Sequence, residues 1–237
     1  MNRHPDWTKP DYHAFVRRDI APLLPPRADH VLDVGCSQGG TLEWLKASGV
    51  AARTTGIELD PEAARIARGR VDRLIEGDVD AAFGTLAAGS FDLVLCLDVL
   101  EHLVDPWRTV ARLGHVLRPG GTLIVSVPNI RHYSVTLPLL WSGRWQYEEA
   151  GILDRTHLRF FTRASATALL TGAGLEPAGG IDTGLEPTRK RELWKPLLAR
   201  TAWRDLGVFQ FVIRGRKPVA AAQRPAPALA PALGAAQ

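Results

Sequence analysis

The chain has 237 residues, 46% of them hydrophobic and 23% charged, with a formal net charge of +4 at pH 7. That size suits one α/β domain with a sizeable core, and the balance is that of a globular protein rather than a fibrous or low-complexity one. The arginines are scattered rather than gathered into a basic stripe, so no nucleic-acid partner is expected. Two cysteines, Cys36 and Cys96, make no disulfide framework, the first residues carry no signal-like apolar core, and no apolar run is long enough to cross a bilayer. A reduced, cytoplasmic setting without a transmembrane segment is therefore expected.

In chain order, residues 11–24 read as a short amphipathic helix closed by Pro25 and Pro26. A strand at 30–34 runs into the small-residue turn Gly35-Cys36-Ser37-Gln38-Gly39-Gly40, and a helix follows at 40–48. A second strand at 54–58 leads to Asp60-Pro61, which opens a helix ending near Arg68. A short strand at 73–76 enters Gly77-Asp78, followed by a weakly patterned helix over 79–88. The nearly all-apolar run 91–97 suits a central parallel strand covered on both faces. A helix at 106–117, a turn at Pro119-Gly120-Gly121 and a strand at 122–127 complete this rhythm. Residues 128–162 break it with Trp141, Trp145, Tyr147 and a dense polar run from Asp154 to Arg159, and read as an insert that lids an acceptor site. A helix at 163–173 and strands near 175–182 and 208–213 close a domain of residues 1–216. From Lys217 the chain is Ala/Pro-rich, cannot bury a core, and reads as a disordered tail.

Alternating strands and helices at this spacing imply a parallel, doubly wound sheet, with ligands beyond the carboxyl ends of its strands. The first strand–helix turn is then a binding site: glycine permits close backbone approach, and a helix start presents N–H groups to anionic atoms. Three carboxylates fall at successive strand ends beside it. Glu58 can accept from both hydroxyls of a ribose, Asp78 from an adenine amine, and Asp33 can orient backbone donors or meet a cation. Together they suit a nucleoside-bearing cofactor.

These residues resemble class I S-adenosylmethionine-dependent methyltransferases. Val31-Leu32-Asp33-Val34-Gly35-Cys36-Ser37-Gln38-Gly39 is similar to that family's first motif, Gly56-Ile57-Glu58 to its ribose-binding strand end, and Glu76-Gly77-Asp78-Val79 to its adenine-edge motif. Phe91-Asp92-Leu93-Val94 through Asp98-Val99-Leu100-Glu101-His102-Leu103 resembles the fourth strand and its loop, and Leu117 to Leu123 the turn into the fifth. The resemblance implies a Rossmann-like sheet of seven strands, mostly parallel with the last antiparallel. It implies S-adenosyl-L-methionine as cofactor, held by Asp33, Gly35, Cys36, Ser37, Gly39, Glu58, Leu59, Gly77, Asp78, Val79, Leu97 and Asp98. Pro128-Asn129-Ile130-Arg131-His132, Gly143-Arg144-Trp145 and Gly151 to Thr162 further resemble a bacterial branch associated with glycosyltransferases and surface-polysaccharide genes. One departure stands out: Ser37 replaces the middle glycine of the first motif, and serine disfavours positive φ.

Methyl transfer to a hydroxyl needs a base, and His157, His102 and Asp154 are the candidates. His157 could instead brace the insert through hydrogen bonds to backbone. Arg155 and Arg159 could hold an anionic group of the acceptor, and Trp145 and Tyr147 could stack on a sugar. No metal is expected. The reading is O-methylation of a small or glycan acceptor, with association with glycosyltransferase machinery. Two others stand beside it. A NAD-dependent oxidoreductase would use Gly35, Ser37 and Gly40 as a loose G-x-G-x-x-G, but Asp78 and the lack of a separate substrate domain oppose it. A non-catalytic S-adenosylmethionine-binding module would use the insert or tail to dock a partner.

Overall fold

In the computed structural model, residues 15–185, 201 and 203–219 are described. Seven strands form one sheet: β1 (Ala28–Val34), β2 (Ala51–Glu58), β3 (Arg73–Glu76), β4 (Phe91–Leu97), β5 (Leu117–Pro128), β6 (Glu176–Thr183) and β7 (Gln210–Arg216). Their order is β3-β2-β1-β4-β5-β7-β6. β7 runs antiparallel to both neighbours, and the neighbouring pairs among β1 to β5 are parallel. This is the expected doubly wound sheet of seven strands with the last reversed.

The helices are α1 (Gly40–Ala47), α2 (Pro61–Ala67), α3 (Val79–Ala82), α4 (Pro106–Val116), α5 (Tyr133–Ser142) and α6 (Arg163–Gly172). Local chemistry starts several of them. Asp60 caps α2 by accepting from Ala63 N–H at 2.7 Å, Asp105 caps α4 by accepting from Arg108 N–H at 3.0 Å, and each is followed by proline in the first turn. Thr162 and Ser165 form a reciprocal capping box on α6.

Every residue of β4 is buried, as a strand covered on both faces requires. The two-residue period divides its side chains. Val94 and Cys96 join Leu32 and Val34 in a core under α3, α4 and α6, while Leu93, Leu95 and Leu97 join Val31 in a second core with Leu42 and Leu45 of α1 and Ala67 of α2.

Three expected elements differ. Of the 11–24 helix, 11–14 lie outside the described residues, and Arg18–Leu23 is a 3₁₀ helix containing Pro22, which has no N–H to continue an α ladder. The 79–88 helix is cut to α3 plus a 3₁₀ turn at Phe83–Thr85 that contains Gly84. The Pro119–Gly121 turn is absorbed into β5 as an irregularity where its pairing with β4 shifts between Phe91 and Leu93. The insert carries α5, and Asn129 ties its start down by donating from Nδ2 to the carbonyls of Asp205 (2.6 Å) and Val208 (2.8 Å). The assigned tail lies outside the described residues from 220 onward. Lys217, its first residue, is held on β5 through Gly120 N–H and Gly121 carbonyl.

Candidate functional site

β1 to β5 end on the same edge of the sheet, and the turn after β1 is held tightly there. Gly35 has φ +71°, and a Cβ on it would come within 2.6 Å of Val99 Cγ2, so only glycine fits. Ser37 takes φ +53° in spite of its side chain, with its N–H donating to Glu58 Oε2 at 2.7 Å. Gly35 and Cys36 N–H both donate to the Ile57 carbonyl, and Gly39 N–H to that of Cys36. These four amides are thus engaged inside the protein and shape the turn, rather than facing a ligand as the sequence predicts. Cys36 packs against Gly56, where a Cβ would meet its sulfur at 2.5 Å, and burial pushes its thiol well above the ordinary range. It is a filler, not a nucleophile.

Glu58, only 8% exposed, accepts from Ser37 N–H and, through Oε1, from Asp60 N–H at 2.8 Å. A carboxylate has about four lone-pair positions, so two remain for a diol. Leu59 beside it is 66% exposed, an apolar surface at a strand end where a flat base can lie. Gly77 (φ +133°) donates to the Glu58 carbonyl at 2.8 Å, and Asp78 follows, capping α3 through Asp80 N–H at 2.7 Å. Val79 is buried behind them.

A pocket at the other side of the turn is lined by Phe15, Arg17, Asp33, Ser37, Leu97 and Asp98, among others. Burial, with Glu58 adding to it and Arg17 opposing, pushes Asp33 up to about 8. Arg17, buried, pairs with Asp98 at 2.5 Å and Asp19 at 2.9 Å and donates to Ser126 Oγ at 3.1 Å. Burial opposes its charge, but Asp98 and Asp19 more than offset it, and its pKa ends above the ordinary value. Asp98 sits at φ +58° and also accepts from Ser126 Oγ at 2.8 Å and from Gln210 Nε2.

Asp98 also lines a second, neighbouring cavity of about 220 Å³. Its walls include Glu101, His102, Asp154, Thr156, His157 and Gln210. The insert reaches it because Leu158 and Arg159 N–H donate to the Glu101 carbonyl at 2.8 and 3.0 Å. His102 and His157 meet edge to face, with ring centres 4.8 Å apart. His102 keeps an open edge, yet partial burial of its ring and then the neighbouring imidazole hold its pKa below the usual value. Glu101 is 1% exposed, and burial followed by Asp98 raises its pKa well above the carboxylate range.

Residues 10–178 match the family described as a methyltransferase domain. A ubiquinone biosynthesis O-methyltransferase of Xanthomonas axonopodis is 32% identical over 73% of this chain and 73% of its own. The chain belongs to the methyltransferase-domain family. A trans-aconitate 2-methyltransferase of Deinococcus radiodurans is 30% identical over 89% of both chains. The fold agrees: an S-adenosylmethionine-dependent methyltransferase of Archaeoglobus fulgidus superposes with a TM-score of 0.59 at 18% identity, covering 87% of this chain and 93% of its own. A 1,6-didemethyltoxoflavin-N1-methyltransferase of Burkholderia thailandensis, solved with S-adenosylhomocysteine, gives 0.54 at 22% identity, covering 84% and 74%. The protein is an S-adenosylmethionine-dependent methyltransferase, and the oxidoreductase reading has no support among these relatives.

The donor set of this methyltransferase fits that cofactor: a buried carboxylate with two open positions, an exposed leucine beside it, and anionic Asp98 and titratable Asp33 at the far end for a cationic methionine moiety. His102, His157 and Asp154 come together around the second cavity. The four expected acceptor contacts do not line it. Arg155 pairs with Glu149 at 3.0 Å, and Arg159 donates to the Val104 carbonyl at 3.1 Å and lies over Trp107. Trp145 and Tyr147 pack with Phe160, their ring centres 5.3 and 6.5 Å from it. Intramolecular partners took these side chains, because a neighbouring carboxylate, a carbonyl or a ring is nearer than the cavity. Arg17, Glu101, Ser126 and Gln210 were not foreseen. Glu101 and His102 stand together directly after β4, a visible signal; Arg17 offers none, since nothing local marks a buried arginine.

Proposed function

We propose that this methyltransferase methylates a hydroxyl oxygen of a small, hydroxyl-rich acceptor of carbohydrate type, bound in the cavity walled by Glu101, His102, Asp154, His157 and Gln210. The observation that carries the reading is that cavity: it is lined by hydrogen-bonding groups and adjoins the cofactor pocket through Asp98. Its wall carries acidic side chains, with Asp98 and Glu149 already paired to Arg17 and Arg155 and Asp154 without a cationic partner among the described residues, so it offers no unpaired cation to an anionic acceptor such as the one named for the Deinococcus relative. The name of the Xanthomonas relative supports oxygen as the receiving atom. The insert 128–162 serves as the lid of this acceptor site, the work is cytoplasmic, and association with glycosyltransferase machinery follows from the branch its motifs resemble.

S-adenosylmethionine supplies a methyl group already bonded to positively charged sulfur. The protein's part is to align the acceptor oxygen, keep water out and receive a proton. As the oxygen–methyl bond forms and the sulfur–methyl bond breaks, the electron pair stays on sulfur and the hydroxyl proton passes to His102, His157 or Asp154. In the test, radiolabelled methyl donor is incubated with nucleotide sugars and defined glycans. Label is expected in at least one of them, and to be lost in Asp154→Asn while S-adenosylhomocysteine binding is kept. A panel without label, with the cofactor product still bound, would overturn the carbohydrate class.

A further inference from the structure

We propose that Glu101, His102 and His157 form a binding site for one divalent transition-metal ion on the wall of the acceptor cavity. One donor atom from each lies within 4.8 Å of the others. Donors about 2.1 Å from a shared tetrahedral ion sit about 3.4 Å apart, so a pair at the 4.8 Å limit closes by roughly 1.4 Å on loading. The proposal rests on the acceptor reading of this cavity and assigns its imidazoles a role.

The hydrogen bonds prepare both rings for metal. His157 Nδ1 lies 3.0 Å from the Ile152 carbonyl, which can only accept, so Nδ1 carries the hydrogen and Nε2 keeps its lone pair. His102 Nδ1 lies 3.0 Å from Thr156 Oγ1, whose own hydrogen goes to Asp154 Oδ1 at 2.6 Å. That hydroxyl therefore accepts from His102 Nδ1–H, and Nε2 is again the open nitrogen. Imidazoles that donate their far N–H to a carbonyl or a hydroxyl–carboxylate relay are arranged as metal ligands usually are. Glu101 supplies the independent sign. Its Oε2 is buried with no hydrogen-bond partner, although it borders a cavity rich in polar groups. A buried carboxylate oxygen left unpaired is costly, and a dication is a partner that satisfies it.

Two neutral nitrogens and one carboxylate suit zinc, cobalt, manganese or iron(II), and do not suit magnesium or calcium, which prefer oxygen alone. Three protein ligands leave positions open to the acceptor. A hydroxyl bound there is acidified by the ion. Its proton then passes to Asp154, because both imidazole lone pairs are engaged. The acceptor class narrows to one with a hydroxyl beside a second oxygen, so that both can bind the ion.

The test uses the full chain stripped with EDTA, titrated with Zn²⁺ alone by calorimetry, with the bound metal counted by mass spectrometry. One equivalent is expected, bound about 100-fold more weakly by His157→Ala and by Glu101→Gln, and unchanged in His115→Ala on α4. His102→Gln serves as a third variant should Glu101→Gln fail to fold. S-adenosylhomocysteine binding, measured on the same metal-free samples, reads the cofactor pocket separately. No stoichiometric zinc, or zinc bound equally by all ligand variants, with that binding intact, overturns the metal site alone. Loss of S-adenosylhomocysteine binding in the wild-type chain would instead strike at the methyltransferase pocket.

Discussion

Replacing Glu58 with alanine removes the acceptor of two backbone N–H groups, from Ser37 and Asp60, and the carboxylate that a ribose diol would use. A hydrogen bond to a charged acceptor contributes about 1.5–3 kcal/mol. Two such bonds to the ribose amount to about 3–6 kcal/mol, and water entering the truncated site recovers part of it. A loss near 3 kcal/mol remains, about a 100-fold rise in Kd for S-adenosylhomocysteine. The two stranded amides lie at the edge of the loop and can hydrate, which holds the stability cost to about 2 kcal/mol and the fall in Tm to about 4–8 °C. Calorimetry with S-adenosylhomocysteine, beside a thermal melt, separates the two effects. A Kd within threefold of wild type on a chain that still melts cooperatively would refute the placement of the cofactor at β2.

Three further predictions concern the same edge. Arg17→Ala removes a buried guanidinium and leaves the half-buried Asp98 without its cation, which is expected to cost on the order of 3 kcal/mol, read as a fall in denaturation midpoint; a change under about 1 kcal/mol would show that Ser126 and Gln210 suffice. Asp33, raised to about 8, holds its proton in the folded chain at pH values where the unfolded chain has lost it. Its share of stability is complete below pH ~4 and is lost as pH rises towards 8, at up to about 1.4 kcal/mol per unit. Asp33→Asn should therefore flatten the stability–pH curve across that window, and parallel curves would contradict the burial argument. Gly35→Ala forces a Cβ against Val99 at a left-handed backbone angle, and a loss of about 5- to 150-fold in S-adenosylhomocysteine affinity is expected from a shift of about 1–3 kcal/mol; unchanged affinity would mean the turn relaxes freely.

Much of the sheet was legible because its signals are local and repeated. The apolar run at 91–97 suits a central strand, and Asp60-Pro61 marks a helix start by its own chemistry. Glu58 and Asp78 stand out in the sequence because the end of a strand beside a glycine turn is a position with meaning. What escaped depended on chain segments far apart in sequence. Arg17 is defined by Asp98, 81 residues away, and nothing near Arg17 forecasts that pairing. Glu101 shows in the sequence only as part of a motif, while its surroundings include the insert whose Leu158 and Arg159 N–H groups close onto its carbonyl. Arg155, Arg159, Trp145 and Tyr147 were chosen by chemical type alone, and type does not say that Glu149, Val104 and Phe160 stand closer than the cavity.

The reversed seventh strand sets an order of assembly. Among the described residues β6 hydrogen-bonds to no strand except β7, and β7 must slot between it and β5. During synthesis, the five-strand half bearing the glycine turn can settle while β6, already made, waits for a neighbour more than twenty-five residues later. Phe209 and Gln210, which wall the second cavity, arrive with that neighbour. A nascent chain halted before them would already display the Glu58 carboxylate, yet have no finished chamber in which to receive anything to modify.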